Sequence, residues 1–85
     1  MEDSFVITWI SPILMTDEDY EFLEKQKAAK TPRLVHPFKI FDDDGFLCLK
    51  GFSIENSSFD PLDEFGIFYG CTEIHYLEDG KFKRI

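Results

Sequence analysis

The run Asp42-Asp43-Asp44-Gly45 holds the side chains of this sequence that best match metal ligands. Carboxylates beside a glycine are typical of the calcium loop of an EF-hand. If Gly45 held the glycine position of that loop, its first ligand would fall on Ile40 and its twelfth on Gly51, and neither carries a carboxylate. Asp and Gly are also the residues that tight turns favour. We therefore interpret the run as the exposed tip of a β-hairpin.

Two cysteines and two histidines are the other candidates for a metal site. Cys71 and His75 lie four residues apart, so they share one side of an extended strand, and Cys48 and His36 would complete a set of four ligands. Small zinc folds hold the metal with closely spaced Cys or His pairs, and this chain has no such pair. Cys48 better fits the role of a small apolar core residue.

Three clustered acids, Asp60, Asp63 and Glu64, offer carboxylates for acid–base chemistry. Asp60 precedes Pro61 and suits a helix N-cap, and the other two fall in the first turn, where the helix dipole favours acids. The chain contains no recognisable nucleophile motif and no glycine-rich phosphate loop. The sequence therefore predicts no enzyme and no cofactor, with a small metal-binding protein or hydrolase as a third alternative.

Negative charge is concentrated in one part of the chain. Ten carboxylates and a single lysine lie between Asp42 and Asp79, so this stretch is net −9 whereas the whole chain is −8. Such a surface repels nucleic acid and anionic membranes and attracts basic proteins. Aromatic residues are interleaved with these acids, and we predict a partner-binding surface formed by Asp42, Asp43, Asp44, Glu55, Phe59, Asp60, Asp63, Glu64, Phe65, Phe68 and Tyr69.

Length and composition set the class of the protein. Eighty-five residues predict one domain spanning 1–85, and an apolar fraction of 44% is ordinary for a folded chain. Two cysteines make no disulfide framework, the amino terminus is acidic where a secretory signal would be basic, and the first apolar run is too short to span a bilayer. These features predict a cytoplasmic protein with reduced thiols.

The first two elements that would position these residues are a strand and a helix. Residues 5–10 are rich in β-branched and aromatic types, and simple alternation puts Phe5, Ile7 and Trp9 on one face of the strand. Thr16 fits a helix N-cap, followed by three acids, with Met15 and Tyr20 placed as a hydrophobic staple. The core face of this helix is predicted to contain Tyr20, Phe22, Leu23, Gln26 and Ala29.

Two hairpins follow. Residues 34–41 and 46–54 flank the first turn, and alternation groups Leu47, Leu49, Gly51 and Ser53 on one face of the second strand, which is the candidate central strand. Pro37 cannot donate a ladder hydrogen bond, so its strand is predicted to lie at an edge or to begin beyond it. Asp79-Gly80 forms the turn of the second hairpin.

A short helical turn over 61–65, ended by Gly66, is predicted between the hairpins. The expected fold is therefore α+β: an antiparallel sheet of about four or five strands in the order β-α-β-β-short helix-β-β, with one main helix packed on one face.

Two functional hypotheses follow. The first is a small acidic protein-binding module, in its sharpest form an inhibitor or antagonist that occupies the basic, nucleic-acid-binding surface of a partner protein. It predicts a basic protein partner, no direct contact with nucleic acid and no contact with a membrane. The alternative is a homodimeric scaffold or regulatory subunit without catalytic activity, whose acids only maintain solubility.

Overall fold

The computed structural model describes residues 4–85. Five antiparallel strands form one sheet in the order β1-β3-β2-β4-β5, which confirms the α+β class and the element order. The elements are β1 (Phe5–Ile10), α1 (Asp17–Ala28), β2 (His36–Phe41), β3 (Leu47–Ser53), a short helical segment made of a π-helical turn (Leu62–Gly66) and a 3-10 turn (Ile67–Tyr69), β4 (Glu73–Glu78) and β5 (Lys81–Arg84).

Helix α1 begins where its sequence predicts. The backbone N–H of Thr16 donates to a carboxylate oxygen of Asp19 at 2.9 Å, and the N–H of Asp19 donates to the Thr16 carbonyl at 3.0 Å, so the first turn is closed on itself. Leu23 is the buried residue of the helix and Phe22 packs beside it. Tyr20 is 64% exposed, so its predicted place in the core face is wrong.

A polar side chain of α1 ties the helix to the sheet edge. The amide oxygen of Gln26 accepts a hydrogen bond from the backbone N–H of Ile7 at 3.1 Å. Strand β1 is an edge strand, and an edge presents backbone groups without a neighbouring strand. Gln26 therefore satisfies a donor that the sheet leaves open, while Leu23 supplies the apolar contact.

Strand β1 does not alternate regularly. Ile7 pairs with Gly51 and Trp9 pairs with Lys50, which are consecutive residues of β3, so Thr8 is an inserted residue of a β-bulge. Ile7 and Ile10 consequently lie in the core, whereas Trp9 lies on the opposite face. The predicted grouping of Trp9 with Phe5 and Ile7 is wrong because the bulge shifts the alternation by one residue.

A second irregularity corrects the assignment of faces in β3. Ile40 pairs with Leu49 and Phe41 pairs with Leu47, so Cys48 is the extra residue. Cys48 and Leu49 both join the core, which confirms the prediction for Cys48, but Leu47 lies with Phe41 on the other face. The predicted grouping of Leu47 with Leu49 is therefore wrong.

Strand β2, which contains Pro37, occupies the middle of the sheet. The expectation of an edge position, or of a strand that begins beyond the proline, is wrong. The pairing of β2 with β4 begins only at Phe38, so Pro37 faces β3 alone and sits beyond the end of the β4 ladder. Strand β3 is interior, between β1 and β2.

Both hairpins are confirmed. The Asp42 carboxylate accepts hydrogen bonds from the N–H groups of Asp44 and Phe46, each at 2.9 Å, and Gly45 adopts a φ of 81°. At the second turn Asp79 and Gly80 have φ values of 52° and 81°, the left-handed pair that a tight two-residue hairpin needs.

The short helical segment is longer than the predicted single turn. Gly66 is buried and has an ordinary helical φ. A Cβ at this position would lie 2.6 Å from a Leu62 methyl group, so the absence of a side chain permits this close contact. The chain instead leaves the helical conformation at Gly70, which has a φ of 72°. Gly66 thus allows close packing, and Gly70 is the stop.

The sheet has two unlike faces. The helix face carries α1, the short helical segment and the core cluster. The second face lies opposite, and its members are Val6, Trp9, Pro37, Lys39, Phe41, Leu47, Lys50, Phe52, Glu73, His75, Leu77, Phe82 and Arg84. No helix within residues 4–85 is long and apolar enough to cross a membrane.

Gly51 provides a test of this packing. A Cβ added there would lie 2.0 Å from the Val6 carbonyl oxygen and 2.6 Å from the Phe38 ring. The Val6 oxygen belongs to the backbone of β1, so it cannot shift as the end of a flexible side chain could. We expect Gly51→Ala to lower the free energy of unfolding by about 3 kcal/mol in urea titrations. Gly45→Ala, with no atom within 4 Å but a positive φ, should cost about 1 kcal/mol. Equal costs would contradict the contact.

Candidate functional site

The structure divides the predicted partner-binding residues into three groups. Asp42, Asp43 and Asp44 follow β2 at one end of the sheet, and Glu55 follows β3 at the other end, because the two strands are antiparallel. The length of β3 separates them by roughly 20 Å. The third group lies on the short helical segment, over the helix face.

The tip of the first hairpin presents two of its three acids to solvent. The Asp42 carboxylate is engaged by the backbone of its own turn, whereas Asp43 and Asp44 are exposed. The residues that flank this tip are apolar, Phe41 before it and Phe46 and Leu47 after it.

Glu55 and Asp60 lie together at the opposite end of the sheet. They line a small pocket of about 190 Å³ with Ser4, Ser53, Ile54 and Ser58. The Tyr76 hydroxyl donates to the Ser58 carbonyl at 2.7 Å and thereby holds the loop that follows β3 against β4. Burial raises the pKa of Tyr76; the Ser53 side chain opposes this shift, whereas the nearby Asp60 and Glu55 charges add to it.

The third group forms an aromatic groove. It lies between α1 and the short helical segment, has a volume of about 310 Å³, and is lined by Glu18, Asp19, Phe22, Phe65, Phe68 and Tyr69. We call this the aromatic groove. Three predicted site residues thus meet in one concave surface, and two acids of α1 complete its rim.

The rings of the groove have different roles. Phe65 packs on Phe5 and Phe22, with ring centroids 5.6 Å and 5.3 Å away, so it anchors the short helical segment to the core. Phe68 is 87% exposed and Ile67 beside it is 68% exposed. Phe65 therefore forms the floor, and Phe68 stands at the rim where a partner would meet it.

Tyr69 joins the two walls of the groove. Its hydroxyl donates to the Asp19 carboxylate at 3.3 Å, across fifty residues of sequence. Burial raises the pKa of Tyr69, and the Asp19 charge and hydrogen bond raise it further, because ionisation would place two negative charges together. Asp19 thus both caps α1 and holds the short helical segment in place.

Sequence reasoning missed the contribution of α1. The acids of its first turn fit the helix dipole and are not among the predicted partner-binding residues, yet Glu18 and Asp19 also line the groove. Phe22 was placed in the core, and it also forms part of the groove wall. No local pattern links positions 18–22 to positions 65–69, because the contact exists only once both elements lie on the same sheet face.

The remaining reactive side chains are held in structural contacts. The Cys71 thiol donates to the Tyr69 carbonyl at 3.9 Å, and the Cys48 thiol donates to the Phe46 carbonyl at 3.4 Å. Burial raises the pKa of Cys71 because its ionised form would lose hydration, and the neighbouring Cys48 raises it further. His75 contacts a Glu73 carboxylate oxygen at 3.3 Å and packs at a tilt against Phe41, with ring centroids 4.5 Å apart. Among residues 4–85, no three His, Cys, Asp or Glu side chains are grouped to hold a metal ion.

Comparison of the chain with protein-family models, curated proteins and solved structures found no match. The properties of the aromatic groove therefore rest on its own residues.

The contact between Tyr69 and Asp19 can be tested by titration. We expect Asp19→Asn to lower the pKa of Tyr69, because a neutral amide no longer opposes the phenolate, while the pKa of Tyr76 stays unchanged. NMR spectra of ring-labelled tyrosine resolve the two residues. An unchanged Tyr69 titration in a folded Asp19→Asn protein would contradict the bridge between the walls.

Proposed function

We propose that this chain is a protein-interaction module that holds a basic segment of a partner protein in the aromatic groove. The observation that carries the proposal is the pairing of an exposed ring with an acidic rim. Phe68 offers an apolar contact surface at the mouth of the groove, and Glu18 and Asp19 lie beside it. The residues that line the groove include no basic side chain.

The chemistry of the groove favours lysine or arginine in the partner. The aliphatic stem of such a side chain would pack on Phe68 and Phe22, while its charged group would reach the carboxylates of the rim. Asp63 and Glu64 are exposed on the adjacent helical turn and add to the negative potential. A purely apolar peptide would pack on the rings but would make no ion pair with the carboxylates of the rim.

The distribution of charge supports fast encounter with a basic surface. Asp43, Asp44, Glu55 and Asp60 are exposed at the two ends of the sheet, so the negative potential extends beyond the groove. Charge of this kind raises association rates, while a few aromatic contacts supply most of the affinity. Phe68, which is 87% exposed at the mouth of the groove, would supply such a contact, and Phe59 is a second exposed ring outside the groove.

The narrower form of the proposal is an inhibitor or antagonist. A basic segment that fits an acidic aromatic groove has the composition of a nucleic-acid-binding surface, which combines cations with residues that stack on bases. The chain would then block nucleic-acid binding by its partner without contacting nucleic acid itself.

Selection from a displayed library of random peptides tests the module directly. We expect peptides recovered on the immobilised protein to combine Lys or Arg with an apolar residue. Phe68→Ala should weaken their binding by roughly tenfold or more, because the ring is removed from the rim. Ile13→Ala is the matched control, since Ile13 is also largely exposed, at 77%, but does not line the groove.

The electrostatic part is measured by salt dependence. Binding of the selected peptides should weaken as ionic strength rises through about 0.15 M, where the screening length falls to about 8 Å. Recovery of peptides without basic residues, or full binding by Phe68→Ala, would exclude the groove as the site. For the inhibitor form, a basic protein captured from cells by the wild-type chain should lose binding to a labelled oligonucleotide when the chain is added.

A further inference from the structure

The second face of the sheet has the opposite charge from the rest of the molecule. Its charged members are Lys39, Lys50, Arg84 and Glu73, so the face is net +2 with His75 counted as neutral, although the whole chain is net −8. On the second face a single row crosses all five strands and consists of Trp9, Lys50, Lys39, His75 and Arg84. Arg84 is exposed, and the other four members of the row are partly exposed.

Two cations of this row have no acidic partner. The Glu73 carboxylate contacts His75 at 3.3 Å and Arg84 at 3.7 Å, so those two are already engaged. Lys39 and Lys50 lie directly opposite each other, and within the described part of the chain neither ammonium group has a carboxylate within 4 Å. Like charges facing each other across a strand pair destabilise a sheet unless an anion lies nearby.

The two lysines instead rest on aromatic rings. The ammonium group of Lys50 lies 4.9 Å from the centre of the Trp9 ring, and that of Lys39 lies 4.2 Å from the centre of the Phe82 ring. These contacts direct the two side chains away from each other, toward β1 and toward β5. The two ammonium groups therefore flank the centre of the hairpin, and two carboxylates that approached it together would have one ammonium group on each side.

The first hairpin carries a charge pattern that is complementary to itself. Its exposed acids, Asp43 and Asp44, lie at the tip, the apolar pair Phe41 and Leu47 comes next, and the two lysines follow. The rise of a strand places the acids roughly 10 Å from the lysines. If two chains packed their second faces together about a two-fold axis at the level of this apolar pair, the tip of each hairpin would lie over the two lysines of the other chain.

We propose that the second face binds a second copy of this chain, with the Asp43-Asp44 tip of each protomer seated between Lys39 and Lys50 of its partner. The end of the face nearer Phe52 is already occupied, because the Lys30 ammonium group lies 4.7 Å from the centre of that ring. The open part is therefore the half nearer the hairpin tip, where the proposed contact lies.

This contact is small, and its strength follows from its size. Five strands span about 24 Å, and the open half covers about four residues along each strand, so the area is well below the roughly 800 Å² per partner of a standard interface. We expect a dimer that dissociates at about 10 µM or more at low salt. The aromatic groove lies on the opposite side of the sheet and stays accessible in both protomers.

Charge exchange tests the pairing. In sedimentation equilibrium from about 10 µM to 1 mM, the wild-type chain should dimerise. The double variants K39E/K50E and D43K/D44K should each weaken the dimer by about tenfold to a hundredfold. Each contact occurs twice in a two-fold symmetric dimer, so every substitution removes two of them. An equimolar mixture of the two variants should recover association, because one protomer then offers lysines at its tip and the other offers glutamates on its face.

Matched variants control for net charge and for the groove. K25E/K27E adds the same negative charge on α1, and D63K/E64K adds the same positive charge on the short helical segment, and both should dimerise as the wild type does. If K39E/K50E fails to fold, K39Q/K50Q replaces it and should weaken the dimer. A monomeric wild-type chain, a dimer that survives K39E/K50E, or a mixture that fails to associate would each overturn the proposal without bearing on the groove.

Discussion

The close approach of three strands at Gly51 is the constraint on which the other contacts depend. Without a side chain at this position, the Phe38 ring can lie against the backbone of β3 while β1 pairs on its far side. Phe38 then contacts Phe5 and Tyr76 edge-on, at centroid distances of 6.3 Å and 5.9 Å. Edge-to-face contacts of this kind favour one relative orientation of the rings and thereby position the strands that carry them.

The ring contacts continue from the sheet to the aromatic groove. Phe5 contacts Phe65, and Phe65 contacts Phe22 of α1, so the short helical segment is held between strand and helix. Phe65 packs against the core, whereas Phe68 is exposed at the same groove. The groove is therefore a consequence of how the core is filled, and the hydrogen bond between Tyr69 and Asp19 fixes its width.

Charge is separated between the layers of the molecule. Acids lie in the turns, in the first turn of α1 and on the short helical segment, whereas most strand charges are basic. The turn acids have local structural roles, as Asp42 shows by accepting two backbone hydrogen bonds. A strand accommodates a basic side chain where its long aliphatic stem covers apolar surface, and Lys39 and Lys50 both extend over aromatic rings. This separation gives the groove side and the second face different binding chemistry.

Local patterns in the sequence determined the elements and their order. Thr16 with its three following acids specifies the start of α1, and the Asp-Gly turns specify both hairpins, because caps and tight turns depend on only a few neighbouring residues. Alternation failed at Thr8 and Cys48, where bulges shift the faces, and it failed for the position of Pro37, since strand order depends on distant pairings. The aromatic groove and the row of residues that crosses the second face also arise only in the folded chain. Positions 19 and 69, and likewise 9, 39, 50, 75 and 84, become neighbours through packing and strand pairing, which no short-range propensity encodes.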